Sequence, residues 1–187
     1  MKLLELEENE FKDYSLNHPL NNFHQTIEWG LLKEKNGWKM LLLGLKDNNE
    51  IKAACMLLKK HTPVGNIFYS PRGYLIDFNN FELLEIFTNE IKKYAKKNKG
   101  IFIKIDPYIP YKERDIDGNL IENGFDNKKS VDNLLSLGYM HNGFNLYFEN
   151  LQPRWIFTLN LEKKNIDDIL SNMESKTRQL IRKNIRM

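Results

Sequence analysis

The sequence predicts a mixed α/β fold, a central sheet flanked by helices. Three observations point there. Residues 101–107, IFIKIDP, open after Gly100, close at a proline and are dense in β-branched and aromatic residues, as a buried strand is. Residues 81–98 put Leu84, Phe87, Ile91, Tyr94 and Ala95 on one helical face, capped by Asn79 or Asn80 and ended by Gly100. Residues 67–70 read as a strand before that helix. Strand, helix and strand are therefore consecutive, which favours a parallel or mixed sheet with a crossover helix.

The other elements follow in chain order. Residues 2–6 read as a short strand. Residues 8–17 read as a short helix, closed by His18-Pro19. Thr26 is placed to cap a helix that stops at Asn36-Gly37; Ile27, Leu31 and Glu34 share one face, and Trp29 and Lys33 another. Residues 38–46 and 51–60 read as strands joined by the turn-forming DNNE at 47–50. Residues 108–129 are polar, rich in Gly and Asn and without period, so a surface excursion with a small hairpin at 117–119 is expected. Ser130 is expected to cap a short helix closed by Gly138. Residues 139–149 read as one or two strands, and 155–161 as another. Asn165 and Asp168 form a capping box for one final helix, with Ile166, Ile169, Leu170, Met173, Leu180, Ile181 and Ile185 on its apolar face. The chain stops inside that helix, and a truncated sequence is expected.

Composition narrows the class. A chain of 187 residues makes one large domain or one and a half. Its formal net charge of +3 argues against general nucleic-acid packaging but leaves room for a local basic patch. The lone Cys55 excludes a disulfide framework and reads as a buried, inert thiol. The four histidines have no metal-ligand spacing. No stretch approaches the ~20 apolar residues of a membrane span, and no secretion signal opens the chain, so a cytoplasmic protein is expected.

Alternation along 101–107 puts Ile101, Ile103 and Ile105 on one side and Phe102, Lys104 and Asp106 on the other. Lys104 and Asp106 are then roughly 7 Å apart at the backbone. They form a structural ion pair, or their strand end lines a reaction cleft. Arg72, in the tight Pro71-Arg72-Gly73 turn, is well placed to present a guanidinium, or pairs a nearby carboxylate such as Asp77. Lys33, on sequence alone, reads as an ordinary solvated lysine. Arg154 and Trp155 read as structural. Lys176, Arg178, Arg182, Lys183 and Arg186 cover the polar faces of the last helix, with no acid among them. That face is either solvated or approaches phosphates.

The order of strands and helices suits an acyltransferase fold of the GNAT type. Members that use acyl-CoA carry an Arg/Gln-x-x-Gly-x-Gly/Ala loop whose amides hold the pyrophosphate. None occurs here, and Pro71-Arg72-Gly73 is too short, so a CoA donor is disfavoured. The stretches QTIEWGLLK at 25–33, YSPRG at 69–73, IKIDP at 103–107 and QPRW at 152–155, in that order, resemble the FemABX family, as does the Lys176-x-Arg178-x-x-x-Arg182-Lys183 run.

The resemblance covers the whole chain but only the front part of a family member. It implies non-ribosomal peptidoglycan aminoacyltransferases, which move an amino acid from aminoacyl-tRNA onto the stem-peptide lysine of a cell-wall precursor. It implies paired GNAT-like domains, here one over 1–150 and the opening strand and helix of a second over 151–187. It also implies Lys33 on the precursor diphosphate, and Arg72, Lys104 and Trp29 are expected to bind substrate with it. Aminoacyl transfer needs a deprotonated amine, and Asp106 is the candidate catalytic group that accepts or orients its proton, unless the proton leaves through the tRNA ribose or a water. Lys176, Arg178, Arg182 and Lys183 would meet tRNA phosphates or an anionic membrane surface. The acceptor would be UDP-MurNAc-pentapeptide or a lipid-linked muropeptide, and no metal or organic cofactor is implied. Two other readings stay open: a GNAT-like enzyme with another donor, and a non-catalytic module that grips tRNA or membrane.

Overall fold

Five strands form one sheet in sequence order, β1-β2-β3-β4-β5. They are β1 (Lys2–Glu5), β2 (Lys39–Asp47), β3 (Glu50–Thr62), β4 (Gly65–Ser70) and β5 (Gly100–Ile105). The computed structural model describes residues 1–115, 117–144, 159 and 161–185. The chain divides into two compact units, Met1–His141 and Asn142–Met187. In the first unit, β1 to β4 are antiparallel neighbours and β4 pairs with β5 in parallel. A parallel pair needs a crossover, and α3 (Phe81–Lys97) supplies it. The sheet is therefore mixed, as the sequence implies.

Alternation along the strands makes two cores, one on each face of the sheet. Leu41, Leu43, Leu45, Ala53, Cys55, Leu57 and Phe68 pack with α3 through Leu84, Phe87, Ile91 and Ala95. Burying a leucine or phenylalanine side chain there contributes about 1.5–3 kcal/mol. On the other face Leu42, Ala54, Met56, Leu58 and Tyr69 pack with Phe11 of α1 (Glu8–Asn17) and Ile27 of α2 (Ile27–Glu34). Thr26 accepts the Trp29 N–H at 3.3 Å and starts α2, and Asn80 accepts the Leu83 N–H at 3.2 Å and starts α3. Cys55 is fully buried, which pushes its thiol well above the ordinary range.

Four expectations change. Strand β5 is not buried on both faces: it ends the sheet, and Ile101 and Phe102 are each 50% exposed. An apolar, β-branched run looks the same at the end of a sheet as in its middle. Ser130 does not cap α4 (Lys128–Ser136); it lies inside that helix, buried, and donates to Asn79 Oδ1 at 3.3 Å. Residues 139–144 carry no strand; the rest of the expected 139–149 strand, most of 155–161, and Arg154 and Trp155 lie outside the described residues.

The expected last helix of the second unit is two, α5 (Ile166–Ser171) and α6 (Ser175–Ile185). The Asn165–Asp168 capping box starts α5 as expected. The side chains of Ser171 and Asn172 both donate to the Asp168 carbonyl, and such local bonds compete with helix propagation.

Candidate functional site

The site in the first unit begins with an interruption in the β3–β4 ladder. Leu58 pairs with Tyr69, and pairing resumes where Ala54 bridges Leu75. Between them three residues of β3, 55–57, face five of the neighbouring segment, 70–74, which is a bulge of two extra residues. Side chains fill the gap. Met56 N–H donates to Gln25 Oε1 at 2.8 Å, and Ser70 Oγ donates to the Met56 carbonyl at 3.0 Å.

The bulged segment folds into a tight turn in which Gly73 N–H donates to the Ser70 carbonyl at 3.1 Å. Its third residue is Arg72, with φ +60°, followed by Gly73 with φ +80°. A left-handed arginine at the position that turns ordinarily give to Gly or Asn is sparsely populated and is held only where the surroundings determine it. The reward is what Arg72 then presents. Its backbone N–H donates to Asp106 Oδ1 at 2.7 Å, and its guanidinium lies over the Tyr108 ring at 4.9 Å. Tyr108 N–H in turn donates to the Arg72 carbonyl at 3.2 Å.

Asp106 directly follows β5, so the ends of the parallel strands β4 and β5 meet through it. Its second oxygen accepts the Tyr69 hydroxyl at 3.1 Å. Burial raises the Asp106 pKa above 3.8, against the opposing hydrogen bonds from Arg72 and Tyr69 and the positive charges of Arg72 and Lys104. The structural ion pair between Lys104 and Asp106 does not form: no such bridge occurs among the described residues. The exposed Lys104 instead carries its Nζ 5.9 Å from the Tyr69 ring centre. Asp77 does not pair Arg72 either; it accepts the Asn79 N–H at 2.8 Å.

Helix α2 brings the second part of the site. Lys33 Nζ stands 4.6 Å from the centre of the Trp29 ring, the i, i+4 neighbour expected to share its face. Trp29 meets His24 edge-on at 4.7 Å. His24 is buried, and its pKa is lowered first by that burial and then by the positive charges of Arg72 and Lys33. Both cations therefore act on one imidazole, and Arg72 also acts on Asp106. Arg72 is thus common to two surroundings, that of His24 with Lys33 and that of Asp106 with Lys104.

Lys176, Arg178, Arg182 and Lys183 lie on α6 in the second unit. Arg178 is committed locally: its Nη1 donates to the carbonyls of Ser171 at 2.9 Å and Met173 at 2.6 Å. Arg186 lies outside the described residues.

Reading the sequence misses His24, Gln25, Tyr69 and Tyr108. Two lie inside the motifs, Gln25 opening QTIEW and Tyr69 opening YSPRG, but a motif does not say which member faces which. Among the described residues no group of three or more His, Cys, Asp or Glu is placed to hold a metal ion.

A mixed sheet with helices on both faces, its β3–β4 ladder interrupted beside the parallel pair β4–β5, is a GNAT-like acyltransferase fold. The chain belongs to the FemAB family, whose model matches residues 6–187. The "Aminoacyltransferase FemA" proteins of Staphylococcus aureus strains bovine RF122 / ET3-1 and MW2 are 38% identical over 179 residues, which span 93% of this chain and 42% of theirs. This chain therefore spans less than half the length of these relatives. The crystal structure of FemX is similar with a TM-score of 0.78 and 26% identity, over 97% of this chain and 43% of that one. A crystal structure of a probable acetyltransferase, 10% identical with a TM-score of 0.50 over 81% of this chain and 99% of that one, is similar in fold alone.

Proposed function

We propose that this chain is the front part of an aminoacyltransferase that extends the peptidoglycan stem peptide, taking the amino acid from aminoacyl-tRNA and placing it on the side-chain amine of the stem-peptide lysine. The observation that carries the reading is the hydrogen bond by which the Arg72 N–H meets Asp106 at the ends of β4 and β5, with Arg72 and Lys33 both acting on His24. In open sheets ligands favour the carboxyl ends of parallel strands. The lysine ammonium loses one proton to Asp106, and the freed amine attacks the ester carbonyl. The C–O bond to the tRNA ribose then breaks, the second proton passes from the nitrogen to the ribose oxygen, and an amide and a ribose hydroxyl result. A carboxylate whose pKa burial has raised is a better proton acceptor than an ordinary aspartate.

Lys33 and Arg72 bind the diphosphate of UDP-MurNAc-pentapeptide or of a lipid-linked muropeptide. The Trp29 ring steadies Lys33, and Tyr108 steadies Arg72. Lys104 extends the positive surface. Lys176, Arg182 and Lys183 approach tRNA phosphates, with Arg178 holding the junction that precedes their helix; the same face would suit the inner surface of the cytoplasmic membrane. Residues 1–150 make one GNAT-like domain and 151–187 open a second, and transfer occurs in the cytoplasm. No helix among the described residues is long and apolar enough to cross a membrane.

The reading is tested by titrating the chain with UDP-MurNAc-pentapeptide. Lys33→Ala is expected to weaken binding by about tenfold or more, because one charge-assisted contact is lost. Unchanged affinity removes Lys33 from the site. Salt-sensitive binding of arbitrary RNA without precursor binding favours a nucleic-acid module instead. Incubated alone with charged tRNA and precursor, the chain is expected to yield no product, since it spans less than half of its relatives; efficient transfer contradicts this.

A further inference from the structure

The Gln25 side chain is wholly buried, yet it makes three hydrogen bonds to backbone distant in sequence. Its Oε1 accepts the Met56 N–H at 2.8 Å; its Nε2 donates to the carbonyl of Pro71 and to that of Gly73, the latter at 3.2 Å. The carbonyls thus engaged flank Arg72 on both sides. Ser70 Oγ reaches the same Gly73 carbonyl at 2.7 Å, and Ser15 Oγ donates to the Gln25 carbonyl at 3.0 Å, which anchors the single 3-10 turn Phe23–Gln25 that carries it. An amide is the one common side-chain group that offers an acceptor and two donors in a plane. Here all of them are used, in the gap that the bulge opens in the ladder.

A left-handed Arg72 has a conformational cost that its surroundings must offset. We infer that Gln25 is a positioning residue: by gripping the carbonyls of Pro71 and Gly73 it holds Arg72 in the conformation that sends its guanidinium over Tyr108 and its N–H to Asp106. It does not itself touch substrate. The inference rests on the proposed function insofar as Arg72 is there a phosphate ligand.

A double-mutant cycle on this chain tests it, with UDP-MurNAc-pentapeptide affinity as the readout. Gln25→Met is expected to weaken binding about tenfold when Arg72 is present and less than about twofold in the Arg72→Ala background, because residues acting through one another are non-additive. Equal losses in both backgrounds, or no loss from Gln25→Met where Arg72→Ala does lose binding, overturn the positioning role alone. Unchanged binding by Arg72→Ala overturns the reading of Arg72, and this inference with it.

Should Gln25→Met fail to fold, Gln25→Glu carries the same test. Ionised, that carboxylate would face two carbonyls; protonated, it donates to one of them and still accepts from Met56. Its affinity relative to the unaltered chain is therefore expected to recover as the pH is lowered. A flat ratio across pH, or failure of both variants to fold at every pH, overturns the inference.

Discussion

Asp106→Asn is expected to lower turnover at least ~100-fold, the usual contribution of a positioned proton acceptor, in a full-length enzyme carrying this sequence. The fold should remain. Asparagine keeps an oxygen for the Arg72 N–H, and the Tyr69 hydroxyl can rotate to accept from the new amide. Asp106→Ala is a different experiment, because it leaves both donors without an acceptor in a half-buried place. Far-UV circular dichroism and precursor affinity close to those of the unaltered protein, with transfer lost, identify a chemical role; unimpaired transfer removes Asp106 from it.

The direction of the Asp106 shift adds a pH signature. The base must be ionised, so transfer should fall as the pH drops through a value above 3.8, and that limb should disappear in the asparagine variant. For stability the sign is opposite to that of a salt-bridged aspartate. The folded state holds the Asp106 proton more tightly than the unfolded chain does. The stabilisation this gives is present on the acid side and lost as the pH rises through the folded pKa. Asp106→Asn should therefore be no less stable than the original near pH 7, which chemical denaturation would measure.

Gly73→Ala is expected to cost about 2–4 kcal/mol, from left-handed strain and a backbone collision together. Gly73 has φ +80°, and a β-carbon there would lie 2.8 Å from the Cα of Pro107. That neighbour is backbone at the end of β5 and cannot swing aside. Relief requires the ends of β4 and β5 to part, which also pulls the Arg72 N–H from Asp106. Thermal unfolding should shift down by several degrees, and precursor binding should fall with it. Gly37→Ala is the control: φ is +78° there, but nothing lies within 4 Å of the added carbon, so only the conformational cost applies, about 1 kcal/mol. Equal losses at the two positions would mean that the approach of the two strand ends does not matter.

Much of the site's neighbourhood is legible along the chain. Thr26, Asn80 and the Asn165–Asp168 pair cap the helices they were expected to cap, because a cap bonds within three residues of itself. Lys33 stands over Trp29 because a helix brings i and i+4 together wherever it lies. The sequence shows one final helix where there are two for the opposite reason: Met173 keeps the apolar period across the break, while side-chain bonds to the Asp168 carbonyl end the first segment.

Signals carried over a few residues therefore settle the caps of α2, α3 and α5 and the alternation of the five sheet strands. Asp106 meets the Arg72 N–H 34 residues away, and Gln25 reaches Met56, Pro71 and Gly73 over 31, 46 and 48 residues. Those partners depend on a two-residue bulge and on which strand ends the sheet. Neither leaves a period or a local preference in the chain, so the site's hydrogen bonds exist as information only once the strands have paired.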